Sequence, residues 1–436
     1  MRKLFTILFM LPLVAIAQED FRELWPNGTV KEEGKLVADS LKQGVWKSFY
    51  DDGKPFCEGK YKNNEKVGRW KCWYRDGQLM SDQEIENGKN ASYFPDGKVE
   101  FQGSLKDGNK NGLWEHFYKT GQAKRKVNYM GGKQQGKEEQ WHLNGQLSMS
   151  GNFQDGKKEG KFSWYYENGN VEMEGPFALD KRNGEWQFFY ESGTLGSKGQ
   201  FKNDKLDGQW IYNYELEGTK WKSGGFSDGA KSGAWERAYE TGEPFSTGAF
   251  ANDKETGVWT SWYKNGQIKE TGEFVEGEMH GKWLGYFKEG KPKFDVTYKN
   301  GKKDGKALLW YPNGNKQYDK SYADDLEDGH SIEWHETGEL RADGDYIKGE
   351  KDGLWKLFYS NGFKFQELVY ANGKLQGLSQ AWYEHGAKWF NINYYQGRLN
   401  GVNTYWDMDG NITYRAKYSS GKLVKVMQKS EGGDKF

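Results

Sequence analysis

A few strings in this 436-residue chain have the residue types that catalysis or ligation needs. Each makes a structural demand on the residues around it. Gly225-Phe226-Ser227-Asp228-Gly229 has the Gly-x-Ser-x-Gly form of a nucleophile elbow, which presents its serine on a sharp strand-to-helix turn beside His and acid partners. No helical pattern follows Ser227, and Phe226 and Gly229 fall at positions that an internal repeat already explains. Gly131-Gly132-Lys133-Gln134-Gln135-Gly136-Lys137 approaches a phosphate-cradling loop, but Glu138 stands where Ser or Thr must follow the lysine, so it reads as a turn. The six histidines, His116, His142, His280, His330, His335 and His385, have no metal-ligand spacing. Of these, His330 and His335 lie five apart on an expected strand and face opposite sides. Asp407-Met408-Asp409-Gly410-Asn411 lacks the spacing of a calcium loop. Carboxylates are spread along the chain without singling out a glycosidase pair. The expectation is a non-enzymatic protein with no catalytic residue, metal or cofactor.

The elements that hold these residues follow from composition and period. Only 35% of residues are apolar, yet 17% are aromatic and 59 are Gly against 8 Pro. A compact α/β domain needs more Leu, Ile and Val, so the core has to be built from Trp, Tyr and Phe spaced by turns. A turn glycine recurs from Gly28 to Gly410, and 13 of its 16 intervals are 24 residues. Repeats at such a period signal a stacked array in which each unit touches only its neighbours.

One unit shows the layout. Gly257-Val258-Trp259 opens a strand, and Trp262-Tyr263-Lys264-Asn265-Gly266 carries the turn. A second strand runs through Ile268, Gly272 and Phe274 to Gly277, and Gly281-Lys282-Trp283 begins the next unit. Asn265-Gly266 between aromatic runs predicts a type I′ hairpin, with φ positive at both central residues. Gly272 falls opposite Trp259, and its missing side chain leaves room for that indole. Alternation places Trp259, Tyr263, Ile268 and Phe274 on one face, taken as the core, and turns Trp262 to the other.

The predicted architecture is all-β: an elongated single-sheet solenoid of about seventeen antiparallel hairpins, 24 residues each. At about 10 Å per repeat it would span on the order of 160 Å. Residues 1–17 read as a signal peptide, with Arg2 and Lys3, an apolar run and a small-residue site at Ala15-Ile16-Ala17. Residues 18–421 form the array and 422–436 a polar, frayed tail. The shortened interval between Gly77 and Gly97 predicts a kink. Cleavage near Ala17 would leave an exported chain of formal charge −2 with both signs interspersed, without a transmembrane segment and without the cationic patch that nucleic acid requires.

Cys57 and Cys72, the only cysteines, fall on neighbouring strands of successive hairpins. A disulfide and two small unbonded core residues both fit that placement.

One feature goes beyond scaffold. The Trp262 position is aromatic in most repeats, and Trp73, Trp141, Trp262, Tyr286, Trp310, Trp334, Phe358, Trp382 and Trp406 form a candidate binding stripe, broken at Asn213 and Ala238. Flat rings on a polar face suit an extended peptide or polysaccharide. Alternatively they stack on one another and on lysine stems as a second minor core.

The run Gly272-Glu273-Phe274-Val275-Glu276-Gly277-Glu278-Met279-His280-Gly281-Lys282-Trp283 resembles a MORN repeat. Together with Trp-Tyr-x-Asn-Gly it is similar to the bacterial variant of the YwqK-type antitoxin family, over essentially residues 20–420. The resemblance implies an elongated hairpin-repeat fold and an interaction role, with toxin neutralisation in some bacterial members. The expected partners are a protein or a second copy of the chain, with polysaccharide as the alternative.

Overall fold

The computed structural model describes residues 18–38 and 40–430, and the leader expected over residues 1–17 lies outside them. All regular structure among the described residues is β, in 38 strand segments without a helix. The chain divides into two compact units, Met1–Leu206 and Asp207–Phe436. Within each, successive strands pair antiparallel as an open meander. In the first unit the meander starts at Gln18–Leu24 paired to Val30–Val37. In the second it ends at Ile412–Ser419 paired to Lys422–Lys429.

Two kinds of turn alternate, and they correct the expected turn chemistry. At Asn265-Gly266 the Gly266 N–H donates to the Tyr263 carbonyl (2.9 Å) and the Tyr263 N–H donates to the Gln267 carbonyl (2.8 Å). Of Lys264, Asn265 and Gly266, only Gly266 has positive φ, at +84°. This is a three-residue loop closed by a glycine bulge, not a type I′ turn. Asn265 acts through its side chain instead, accepting from the Gln267 N–H (3.2 Å) and donating to the Lys288 carbonyl of the next repeat (2.9 Å). Turns with two positive φ values lie at the opposite ends of the strands, where Glu276 (+52°) and Gly277 (+88°) join the paired residues Val275 and Glu278. Asn252-Asp253 and Asp324-Asp325 do the same. Asn, Asp and Gly tolerate both geometries, so the dipeptide alone does not distinguish them.

The core follows from one missing Cβ per repeat. Trp259 does pair with Gly272. The indole over Gly272, however, belongs to Trp283 on the other neighbouring strand: a Cβ on Gly272 would lie 2.2 Å from the Trp283 ring, while Trp259 covers Gly248. The indoles thus lie over a glycine eleven residues earlier, as with Gly103 and Trp114 or Gly175 and Trp186 in the first unit, and twelve earlier for Gly34 and Trp46. Its Nε1–H donates to the next carbonyl along, Trp283 to Glu273 (3.0 Å) and Trp186 to Pro176 (3.0 Å). This satisfies the one polar atom of a buried indole. Second-strand rings meet the indoles edge-on, with centroids 5.2 Å apart for Phe250–Trp259 and 5.0 Å for Phe274–Trp283. Lysine ammonium groups cap the outer faces, Lys351 over Trp355 at 4.1 Å and Lys66 over Trp70 at 4.2 Å.

Phe162 takes the Trp place and keeps its glycine, Gly151, but where a non-aromatic residue replaces the Trp the Gly is replaced as well. Val127 faces Glu138, Val296 faces Ala307 and Lys320 faces Ser331 across neighbouring strands. All six are at least half withdrawn from solvent. A large residue moves to the glycine site as a smaller one takes the Trp site, so the volume of the pair is roughly kept.

Three further expectations are revised. Ile268 pairs with Trp262 and is 39% exposed, so it does not belong to the core. The deletion between Gly77 and Gly97 is absorbed as strand length: Leu79–Glu84 and Gly88–Tyr93 have six residues each and still pair, with buried Asn90 in the Trp place. Residues Lys422–Lys429 are a paired strand, because Leu423, Val424, Val426 and Met427 supply strand-forming residues within the lysines.

Candidate binding surface

The stripe residues end the first strand of each repeat, where the register slips by one residue before the turn. Trp73 pairs with Leu79, Trp141 with Leu147, Trp262 with Ile268, Tyr286 with Pro292 and Trp310 with Lys316. Further on, Trp334 pairs with Leu340, Phe358 with Lys364, Trp382 with Lys388 and Trp406 with Ile412. All nine rings are half-buried rather than open. Lysines approach several of them: Lys364 lies 4.9 Å from the Trp382 centroid, Lys316 5.5 Å from Trp334, Lys388 5.9 Å from Trp406 and Lys126 6.0 Å from Trp141. The surface is therefore a ribbed one of ring, aliphatic or lysine, and ring, with cations at the ring faces.

Where a stripe position is followed by Tyr or His, that residue carries a contact that the sequence reading missed. The Tyr263 hydroxyl donates to the Tyr286 carbonyl (3.0 Å), Tyr239 to Trp262 (2.9 Å), Tyr359 to Trp382 (3.0 Å) and Tyr383 to Trp406 (2.9 Å). In the first unit Tyr118 donates to Trp141 (2.7 Å) and Tyr50 to Trp73 (3.0 Å). His142 and His335 replace the tyrosine and reach the Tyr165 and Phe358 carbonyls through Nε2 at 2.8 and 3.0 Å. A carbonyl can only accept, so these Nε2 atoms carry the proton. Two of the six histidines are thus substitutes in a latch that fixes the stripe backbone to the turn before it, except before Trp310, where Phe287 has no hydroxyl to donate. The signal was available as Tyr or His at a constant offset before Asn-Gly.

Charge enters the core at two places. Glu138 is 2% exposed and accepts from Arg125 Nε (2.7 Å) and Nη2 (3.0 Å), Gln134 (2.7 Å) and Gln140 (2.7 Å). Its hydrogen bond holds the Arg125 guanidinium above its ordinary pKa. In the second unit Lys320 bridges Glu327 and Glu333, each at 2.7 Å. Burial pushes that ammonium down, but hydrogen bonds to the two carboxylates outweigh it and raise the pKa. Burial, reinforced by the Glu327 charge, pushes the Tyr322 and Tyr346 phenols up to about 12. Both clusters are self-satisfied ion-pair networks.

The remaining sequence candidates take structural places. Ser227 is exposed and pairs with Ala230 across the Asp228-Gly229 turn, so no elbow forms. Gly131 and Gly132 make a turn with φ of +55° and +83°. His330 lies between Asp343 (3.2 Å) and Asp345 (2.9 Å) on the surface. Cys57 and Cys72 are directly opposite across adjacent strands and joined in a disulfide. Among the described residues no group of three or more His, Cys, Asp or Glu is placed to hold a metal ion. Nor is any helix among them long and apolar enough to cross a membrane.

The MORN repeat variant matches eight segments of the chain, residues 42–63, 66–87, 110–130, 158–178, 182–203, 255–276, 279–300 and 303–324. Each match covers the two strands of one hairpin and the loop between them, so the chain carries MORN-variant repeats. No curated protein matches the chain. Among solved structures, the TcdB2-TccC3 crystal structure is 10% identical at a TM-score of 0.14, covering 91% of this chain and 24% of that one. A Photorhabdus luminescens Tc holotoxin pore is 9% identical at the same TM-score, covering 92% and 30%. The chain spans about a quarter of the length of the first of these.

Proposed function

We propose that the chain is an exported, non-enzymatic scaffold that binds a protein partner through the ribbed sheet surface of its repeats. The observation that carries this is the stripe: half-buried rings at one position of successive repeats, flanked by lysines and pinned by the tyrosine latch. Aromatic rings with cations nearby, on a rigid backbone, provide contact area at little entropic cost. Export rests on the leader at residues 1–17, and the disulfide between Cys57 and Cys72 accords with an oxidising compartment. The test is capture by the chain beginning at Gln18 from a solubilised envelope extract, with and without glycan digestion. A specific protein that survives digestion and is lost on Trp382→Ala with Trp406→Ala supports the reading. Capture abolished by digestion replaces it with polysaccharide binding.

The polysaccharide reading is favoured by the number of rings and opposed by the lysines over their faces, where a sugar ring would stack. Membership of the YwqK-type antitoxin family, with toxin neutralisation, is the third reading. It requires an uncleaved chain in the cytoplasm, and a mature N-terminus at Gln18 would exclude it.

A further inference from the structure

The two outermost strands carry opposite charge. Among the described residues, Gln18–Leu24 and Lys422–Lys429 each pair with a single neighbour, which leaves one edge of backbone N–H and C=O groups without a strand partner. Every residue of Lys422–Lys429 is exposed, including Leu423 at 45%, Val424 at 58%, Val426 at 45% and Met427 at 50%. An apolar edge of this kind is a template for a further strand. Its charged residues are Lys422, Lys425 and Lys429, net +3. On Gln18–Leu24, Glu19, Asp20 and Glu23 outnumber Arg22, net −2, and Phe21 turns toward the core ring of Trp46 at 5.4 Å.

We propose that Lys422–Lys429 of one molecule pairs with Gln18–Leu24 of a second copy, continuing the hairpin sheet head to tail. Like edges repel, +3 against +3 and −2 against −2, whereas unlike edges attract, so the contact is heterologous. Phe21 of the incoming strand would extend the ring row toward Leu423 and Val426, which pair with Tyr418 and Ala416 on the core side. A heterologous contact does not close on itself unless a rotation returns it, so the product is a chain of copies. This deepens the scaffold reading, since it lengthens the surface offered to a partner. A chain that stays monomeric yet still captures its partner would overturn this inference and leave that reading intact.

The experiment is sedimentation velocity of the chain beginning at Gln18 over a range of concentrations, at about 0.1 M and about 1 M salt, where the screening length falls from ~10 to ~3 Å. The mass should rise with concentration at low salt and the association should be lost at high salt. A variant with Lys422→Glu, Lys425→Glu and Lys429→Glu should be monomeric, as should one with Glu19→Lys, Asp20→Lys and Glu23→Lys. Mixing the two should restore association, because each supplies the edge complementary to the other. Should the triple reversal fail to fold, Lys425→Gln with Lys429→Gln gives the same direction of change. Wild-type protein that is monomeric throughout means that the lysines only guard the edge, and the inference falls. Association that survives both reversals overturns it equally.

Discussion

Around Trp283 the indole covers Gly272 and meets Phe274 edge-on at 5.0 Å, whereas one repeat later Ala307 is fully buried beside Val296. In the repeat after that, Ser331 lies beside Lys320. The same pair of sites is filled once by a very large and a vanishing side chain, once by two middling ones and once by a cation held between two carboxylates. The sheet geometry on either side is unchanged, with nine-residue first strands and eight-residue second strands throughout. A repeat therefore specifies the summed volume at the strand pair more tightly than either residue.

The comparison breaks most severely at the large end. Trp283→Ala leaves Gly272 uncovered, removes the edge-on contact with Phe274 and should cost about 4 kcal/mol, read by urea denaturation. The ionic repeat should come next. Lys320→Met would leave Glu327 and Glu333 without their shared cation, at about 2 kcal/mol, below the range for fully buried pairs because both carboxylates keep some access to water. Around the same ion pairs, Tyr322 and Tyr346, one repeat apart, have folded pKa values raised to about 12 from an ordinary 10. The neutral phenol is the form favoured by the fold, so its contribution is complete below pH 10 and lost as pH rises from 10 through about 12. Chemical denaturation at pH 9 and pH 11 should show that loss in the wild type and a smaller one in Tyr322→Phe with Tyr346→Phe. The latch should give the smallest effect: Tyr263→Phe removes one hydrogen bond to the Tyr286 carbonyl, about 1 kcal/mol, with the ring contacts retained.

Much of this architecture was legible because turn and ring residues recur at a fixed interval. Gly-x-Trp, Asn-Gly and the 24-residue period suffice for hairpins, strand order and the aromatic core. What period alone does not reveal is which neighbour a side chain meets. Trp259 and Trp283 flank the strand of Gly272 on opposite sides, and only the direction in which the indole leans assigns the vacancy to Trp283. The same limit applies to the turns, since Asn265-Gly266 and Asn300-Gly301 share a dipeptide while φ is positive at Asn300 and not at Asn265. Lys320 and Glu138 were visible only as departures from Gly and Trp. Their partners Glu333, Glu327 and Arg125 come from residues that elsewhere in the chain face solvent. The stripe was legible in its position but not in its burial, because its cover comes from the cross-strand residue and from lysines of a preceding strand.

The most direct test of the volume rule is a double-mutant cycle at Gly272 and Trp283, measured by urea denaturation. Gly272 has ordinary strand φ, and the nearest atoms that a Cβ there would meet belong to the Trp283 indole. Gly272→Val alone should cost about 2 kcal/mol through overpacking and Trp283→Ala alone about 4 kcal/mol. The double variant reproduces the Val296–Ala307 arrangement. It should be more stable than Trp283→Ala by itself, with a coupling of about 2 kcal/mol or more. Losses that simply add would mean that the two sites are filled independently, and the account of the core would be wrong.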